Sequence, residues 1–389
     1  MIKNKYFSFF LLLLAESIER FSYFFVSFVL LFYMMTNIEN GGLQFSQESA
    51  MNIGGYFSFG ILVFPLIMAP MIDKYLGYFK AAIYGGIALS VGYLFAFLSG
   101  YLSAYFIVAA LIMIVVGSAF VKPSISVLIG KLSNFSPLSH DLGYILYVIS
   151  VSVASMGSAY FSAKLINKYY TYMPFFVISF FFMLLFTFII YYLNKNIKLN
   201  DHNERSEKIT KKTSYTLAGA MLFCLFIGVS TTISSKIFSF PNTLSFWLTS
   251  LFAILFLLSV SLNFLKINIK MLYVILMSSF FIIFLLVNLF IRNLGDISPI
   301  LPGIFSSFDM LQNFFIFPIV LSIIAKYSPT GAQATMQSLA FFLFSLSTIL
   351  VKNILPVFSF TGSNLILFLA LLILFITAIF VRFAYKVIC

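Results

Sequence analysis

Glu16, Glu19, Arg20 and Tyr23 are the residues whose types and spacing point most directly to chemistry, and they stand in a run otherwise made almost wholly of Leu, Phe and Val. On a helix these positions are i, i+3, i+4 and i+7, so all four lie along one face. Two carboxylates and a guanidinium together can hold and release a proton and can bind a carboxylate bidentately through Arg20. A charge at the centre of a membrane helix costs about 2.5–3.5 kcal/mol even on insertion scales, so this face must point into a protein interior or a wet cavity. Lys122 is the one lysine deep within an apolar span, and its neighbour Pro123 frees a backbone carbonyl. It needs an acid, and Glu16 and Glu19 are the expected partners. With all four groups ionised the charges cancel, whereas protonating either Glu leaves a net positive charge that favours an anion. Proton and anionic solute then assist each other's binding, reciprocally. Two carboxylates so close, partly desolvated, also resist ionising together, which suits one of them to carry a proton. The competing reading is a buried salt-bridge network that only fixes helix packing, although such pairs contribute little net stability.

Composition defines what must position these groups. Hydrophobic residues make up 62% of the chain, charged residues 9%, and the mean hydropathy is +1.07, against roughly 45–50% apolar and 25% charged in soluble domains. The chain therefore reads as an all-α, polytopic membrane protein. Cys224 and Cys389 suggest neither a disulfide framework nor a metal site. Both histidines lie in polar loops, and there is no metal-ligand cluster, no cofactor motif and no catalytic-sized domain, so an enzyme is not expected and no catalytic residue is assigned. The net charge of +12 needs no nucleic-acid partner, since a basic cytoplasmic face beside anionic lipid accounts for it.

Apolar stretches long enough to cross a bilayer recur at about 7–36, 51–72, 79–99, 104–132, 142–163 and 173–193, then at 214–235, 244–264, 270–291, 300–326, 332–356 and 363–386. The first, despite Lys3 and Lys5 ahead of it, reads as an uncleaved helix because the charged cluster interrupts it. The expected organisation is an N-terminal six-helix bundle over 1–193, a basic cytoplasmic linker over 194–213 and a C-terminal six-helix bundle over 214–389. Of the basic residues only Lys164, Lys168, Lys236, Arg292 and Lys352 fall outside the cell in this arrangement, with Arg20 and Lys122 inside the membrane. That asymmetry predicts cytoplasmic N- and C-termini. Compact loops suggest a bacterial inner cell membrane.

Two six-helix halves joined by such a linker resemble the major facilitator superfamily, in which the substrate sits between the halves near the midplane. Asp73-Lys74-Tyr75-Leu76-Gly77-Tyr78-Phe79-Lys80 resembles that superfamily's cytoplasmic signature, where an acid, a basic residue and a Gly turn brace the inner gate. The opening cluster resembles the E-x-x-E-R-F-x-Y-Y motif of the proton-dependent oligopeptide transporter family, departing only at Phe24. Gly117 to Ser126, containing Phe120-Val121-Lys122-Pro123, is similar to that family's G-x-G-x-F-K-P-N-x-S segment, and His140-Asp141-Leu142-Gly143-Tyr144 to its R-D-x-G-F segment. Pro318 to Ser322, with Lys326 and Pro329, resembles its tenth helix. The resemblance implies a twelve-helix symporter that imports small di- or tripeptides with protons by alternating access, driven by the proton gradient without a cofactor and working as a monomer in the lipid bilayer. It implies that Glu16, Glu19, Arg20 and Lys122 couple the proton, and that Arg20, Tyr23 and Lys122 face the substrate. Asp73, Lys74, Gly77, Pro123 and Pro318 would serve gating and structure.

Departures bear on the cargo. Asn313 stands where the family's tenth helix has the Glu that meets a substrate amino group, and Ser152 where it has a pocket Asn. Residues 214–235 contain no acid, and Ser27 replaces a second arginine that family members pair with one. Asp309, one turn before Asn313, either takes over the amine-facing role or lies in water at the outer mouth with Asp296 and Arg292. The alternatives are a carrier of the same fold for an amino acid, a nitrate-like ion or another organic anion, and a decayed carrier acting as receptor or scaffold.

Overall fold

The computed structural model describes residues 5–135, 140–169, 171–197 and 317–354, together with a broken run between 213 and 227. The expected linker lies almost wholly outside the described residues, as do most of the second half's spans and, within them, Asp309 and Asn313. The chain divides into two compact units, Met1–Lys208 with Ser328–Phe342, and Ile209–Tyr327 with Leu343–Cys389.

The first unit holds six helices long and apolar enough to cross a membrane, and no strand occurs among the described residues. They are α1 (Lys5–Met35), α2 (Gln47–Met71), α3 (Tyr78–Ser99), α4 (Phe106–Phe135), α5 (His140–Tyr169) and α6 (Met173–Asn196). At a 1.5 Å rise per residue each meets or exceeds the roughly 30 Å hydrocarbon layer. Capping accounts for starts that differ from the apolar pattern. The polar stretch ahead of Met51 joins α2 because the Ser46 hydroxyl accepts from Ser49 N–H at 3.2 Å. His140, expected in a loop, begins α5. At the far end of α1 the chain folds back on itself, and Leu43 and Phe45 N–H groups donate to the Tyr33 and Met34 carbonyls at 3.0 and 2.8 Å. Those carbonyls are among the acceptors a helix leaves unsatisfied.

Missing side chains set how closely α3 and α4 cross. A Cβ on Gly85 would come within 2.7 Å of the Gly117 carbonyl oxygen, and one on Gly117 within 2.8 Å of the Gly85 carbonyl oxygen. Backbone meets backbone there, as in other membrane-helix contacts built on small residues. Gly85→Ala is therefore expected to cost about 1–3 kcal/mol by overpacking and to lower the melting temperature in detergent by several degrees. Gly55, whose Cβ would meet nothing within 4 Å, supplies the control, since Gly55→Ala should leave the melt unchanged or raised.

Aromatic packing joins α1 to α6. Phe25 and Phe175 rings lie 4.5 Å apart, with Phe21 and Tyr172 packed beside them. Tyr33 and Ser99 hydroxyls share a hydrogen bond of 2.8 Å that ties α1 to the end of α3. In the second unit α7 (Phe317–Tyr327) carries a buried Pro318, and its Phe317 ring packs 4.7 Å from Phe344 on α8 (Gln333–Ile354). The first turns of α8, through Phe342, belong with the first unit.

Candidate functional site

Packing of α1 against α4 and α5, with Tyr93 of α3 near by, encloses the charged face that the sequence places in the first span. Glu16 and Glu19 are wholly buried and Arg20 is 6% exposed. Arg20 Nε lies 2.9 Å from Glu16 Oε1 and 2.6 Å from Glu19 Oε2, so a single guanidinium nitrogen serves both carboxylates. Glu16 Oε2, both Glu19 carboxylate oxygens and Arg20 Nη2 are buried without a hydrogen-bond partner, Glu19 Oε2 meeting Arg20 only as an ion pair. Three acceptors and one donor thus remain without a hydrogen bond in a buried setting, where leaving such groups unmet costs about 1–3 kcal/mol each.

Lys122 departs from the expected pairing. No carboxylate among the described residues comes within 4.0 Å of its Nζ, and the ion pairs of the cluster belong to Arg20 alone. Its Nζ sits 5.5 Å from the centroid of the Tyr23 ring, with Arg20 Cζ at 5.9 Å from the same ring. The reason is geometric: Arg20 lies on the same helix as both acids and needs only one turn to reach them, while Lys122 arrives from α4 and is held across Tyr23. It remains within electrostatic reach of Glu16 and Glu19. Phe57 of α2 stacks against Tyr23, with centroids 6.5 Å apart and planes inclined by 28°. Tyr23 therefore holds two cations near one electron-rich ring.

Other polar groups complete the enclosure. Tyr147 of α5 adjoins Glu16, and Tyr93 of α3 lies within reach of Glu19 and Tyr23. Neither was singled out from the sequence, because with 22 tyrosines in the chain one more in an apolar span carries little signal. Ser152, by contrast, donates its hydroxyl to the Val148 carbonyl at 2.9 Å and makes no hydrogen bond to the cluster.

A second constellation gathers around Asp73. After Met71 the helix widens into a π-helical turn, Ile72–Leu76, which buries Asp73 and leaves Lys74 exposed. Gly77 closes the turn at φ +73°, a conformation that favours glycine, and its N–H donates to the Ile72 carbonyl at 3.0 Å. Asp73 Oδ1 accepts from the Ala334 N–H at 2.9 Å and the Tyr78 hydroxyl at 3.1 Å. Its Oδ2 accepts from the Thr335 N–H at 2.9 Å and the Thr335 hydroxyl at 2.7 Å. One carboxylate thereby caps the start of α8, where free N–H groups and the helix dipole favour negative charge. A few residues on, the Ser126 hydroxyl of α4 donates to Gln337 Oε1 at 3.0 Å, both residues being wholly buried. Gln337 is legible in hindsight as an amide within the apolar run of α8. Pro123 is buried inside α4, between Lys122 and Ser126.

No protein-family model matches the chain. Its sequence is 27% identical over 160 residues to an uncharacterized transporter of Bacillus subtilis, covering 41% of this chain and 32% of that protein. It is 28% identical over 158 residues to the peptide transporter YePEPT of Yersinia enterocolitica, covering 41% and 31%. A di-/tripeptide transporter of Lactococcus lactis is 27% identical over 144 residues, covering 36% and 29%. The chain thus matches about a third of the length of these curated relatives. Among solved structures, a POT family transporter in complex with 5-aminolevulinic acid aligns with a TM-score of 0.61 at 17% identity, covering 97% of this chain and 96% of that one. The human organic anion transporter TETRAN aligns with a TM-score of 0.63 at 14% identity, covering 99% of each chain. These similarities show the fold, an all-helical facilitator architecture. Over about two fifths of its length the chain is thus similar in sequence to transporters named for peptides, and its backbone follows the fold of POT family transporters.

Proposed function

We propose that the protein is a proton-coupled symporter that imports small peptides by alternating access, with both termini cytoplasmic in a bacterial inner membrane and a single chain as the working unit. The observation that carries this reading is the buried Glu16/Glu19/Arg20 group with its unmet carboxylate oxygens and unmet Nη2 beside Lys122. Protonation of either acid leaves the cluster cationic. A peptide's terminal carboxylate then answers that charge, accepting from Arg20 and Lys122, while Tyr23 shapes the space between them. Release of the proton restores neutrality and weakens the hold on the anion, so the two cargoes travel together. The proton gradient is the driving force, and no cofactor enters the cycle. Asp73, Lys74 and Gly77 act at the cytoplasmic gate, where alternation requires α8 to part from Asp73, and Pro123 and Pro318 allow the neighbouring helices to flex.

The deciding experiment is thermal stabilisation of the purified protein by a dipeptide library. Peptides with a free C-terminus are expected to raise the melting temperature by several degrees and C-terminally amidated ones to do nothing. Equal stabilisation by amidated peptides would remove the carboxylate from the argument.

A second reading keeps the fold and replaces the peptide with another organic anion. It is favoured by Asn313 at the position of an amine-facing acid and by the absence of acids from residues 214–235. Competition of dipeptides, amino acids and simple monocarboxylates against one labelled substrate separates the two.

A further inference from the structure

Between the charged cluster on α1 and the clasp at the start of α8 runs an unbroken file of buried contacts, carried by α5. Tyr147 adjoins Glu16, and its ring meets that of Tyr144 edge-on, with centroids 6.4 Å apart and planes at 80°. The Tyr144 hydroxyl donates to the Ser126 carbonyl at 2.8 Å, and the Ser126 hydroxyl donates to Gln337 on α8 at 3.0 Å. Tyr144, Tyr147, Ser126 and Gln337 are each no more than 5% exposed, so water cannot readily replace any contact in the file. Gly130 makes the middle step possible, because a Cβ there would come 2.9 Å from the Tyr144 hydroxyl.

We propose that Tyr144 and Tyr147 are positioning residues that transmit the state of the Glu16/Glu19 pair to the α8 clasp through Ser126 and Gln337. Spacing on the helices supports this. Tyr144 and Tyr147 are i and i+3 on α5, and Lys122 and Ser126 are i and i+4 on α4, so each helix shows one residue to the cluster and one to the clasp. The groups that face the carboxylate pair are Arg20 and Tyr23 from α1 itself, Tyr93 from α3, Lys122 from α4 and Tyr147 from α5. Of the last three helices, α5 presents a hydroxyl that is also one ring contact away from a bond to α4. Coupling between distant sites is carried by contiguous packed and hydrogen-bonded groups of this kind, and the variants below test it. Its purpose rests on the transport reading, since a gate that senses the proton site is what a symporter needs.

Amide hydrogen exchange over residues 333–342 of the purified full chain reads the clasp directly, without any substrate. Glu16→Gln is expected to change exchange there about tenfold relative to the parent protein. In a Tyr144→Phe background, which keeps the ring and removes the donor to Ser126, Glu16→Gln should produce no further change, and Tyr147→Phe should act as Tyr144→Phe does. The proposal fails where Glu16→Gln leaves exchange at 333–342 as it was, or where its full effect persists in both tyrosine variants. A protein that shows the coupled pattern yet accumulates no peptide in proteoliposomes overturns the transport reading and leaves this coupling standing.

Discussion

Glu19→Gln is expected to abolish gradient-driven uptake, by a hundredfold or more, while counterflow exchange of substrate survives. Glutamine keeps the shape of the side chain and its contact with Arg20 Nε, 2.6 Å away in the parent protein, but neither takes up nor releases a proton. With Glu16 still ionised the cluster then carries the fixed positive charge of the proton-loaded state. It binds anions and exchanges them, and it cannot use a gradient. Lys122→Ala is expected to remove both activities, because on this reading a cation needed for the anion is gone. Its cost in stability should be smaller than that of losing Arg20, since no carboxylate lies within 4.0 Å of Lys122 and the two acids keep their direct partner. Arg20→Ala is the contrasting case, leaving two buried acids without their partner at a cost of about 3–5 kcal/mol. Uptake and counterflow in proteoliposomes, with melting curves on the same preparations, check all three. Undiminished gradient-driven uptake by Glu19→Gln and Lys122→Ala would refute the coupling role of the cluster.

Asp73→Asn is expected to reduce initial uptake at least tenfold while substrate binding, measured by thermal shift, stays within about twofold. The carboxylate accepts four hydrogen bonds, two of them from the Ala334 and Thr335 N–H groups. Asparagine offers one oxygen and turns an amide donor toward groups that also donate. Hydrogen bonds to a charged acceptor contribute about 1.5–3 kcal/mol each, so even partial loss shifts the clasp equilibrium by a factor of ten or more. Amide exchange at Ala334 and Thr335 should rise correspondingly, while α3 and α4 keep their protection. Unchanged uptake with freely exchanging amides would show that the clasp is dispensable for turnover.

Periodicity and composition were enough to locate the six helices of the first unit to within a few residues, because twenty-odd apolar residues in a row have few other outcomes beside lipid. The boundaries moved where polar residues entered helices by capping, as at Ser46, or by continuing a helix beyond its apolar run, as at His140. Spacing also placed Glu16, Glu19, Arg20 and Tyr23 on one face, since that depends only on the helical repeat. The partner of Lys122 was not legible, because it depends on where α4 lies against α1, which no local repeat fixes. Nor could Asp73 be matched to Ala334 and Thr335, 261 and 262 residues away.

By itself, then, the amino-acid sequence determined that the chain is helical, membrane-embedded and provided with one face carrying two acids, an arginine and a tyrosine, for these follow from local repeat and from the cost of charge in hydrocarbon. Only the tertiary structure decided that Arg20 takes both acids, that Lys122 rests across Tyr23, that Tyr147 joins the enclosure and that Asp73 caps α8. Each of these is a choice among several polar partners of similar chemistry, and distance in the folded bundle makes it.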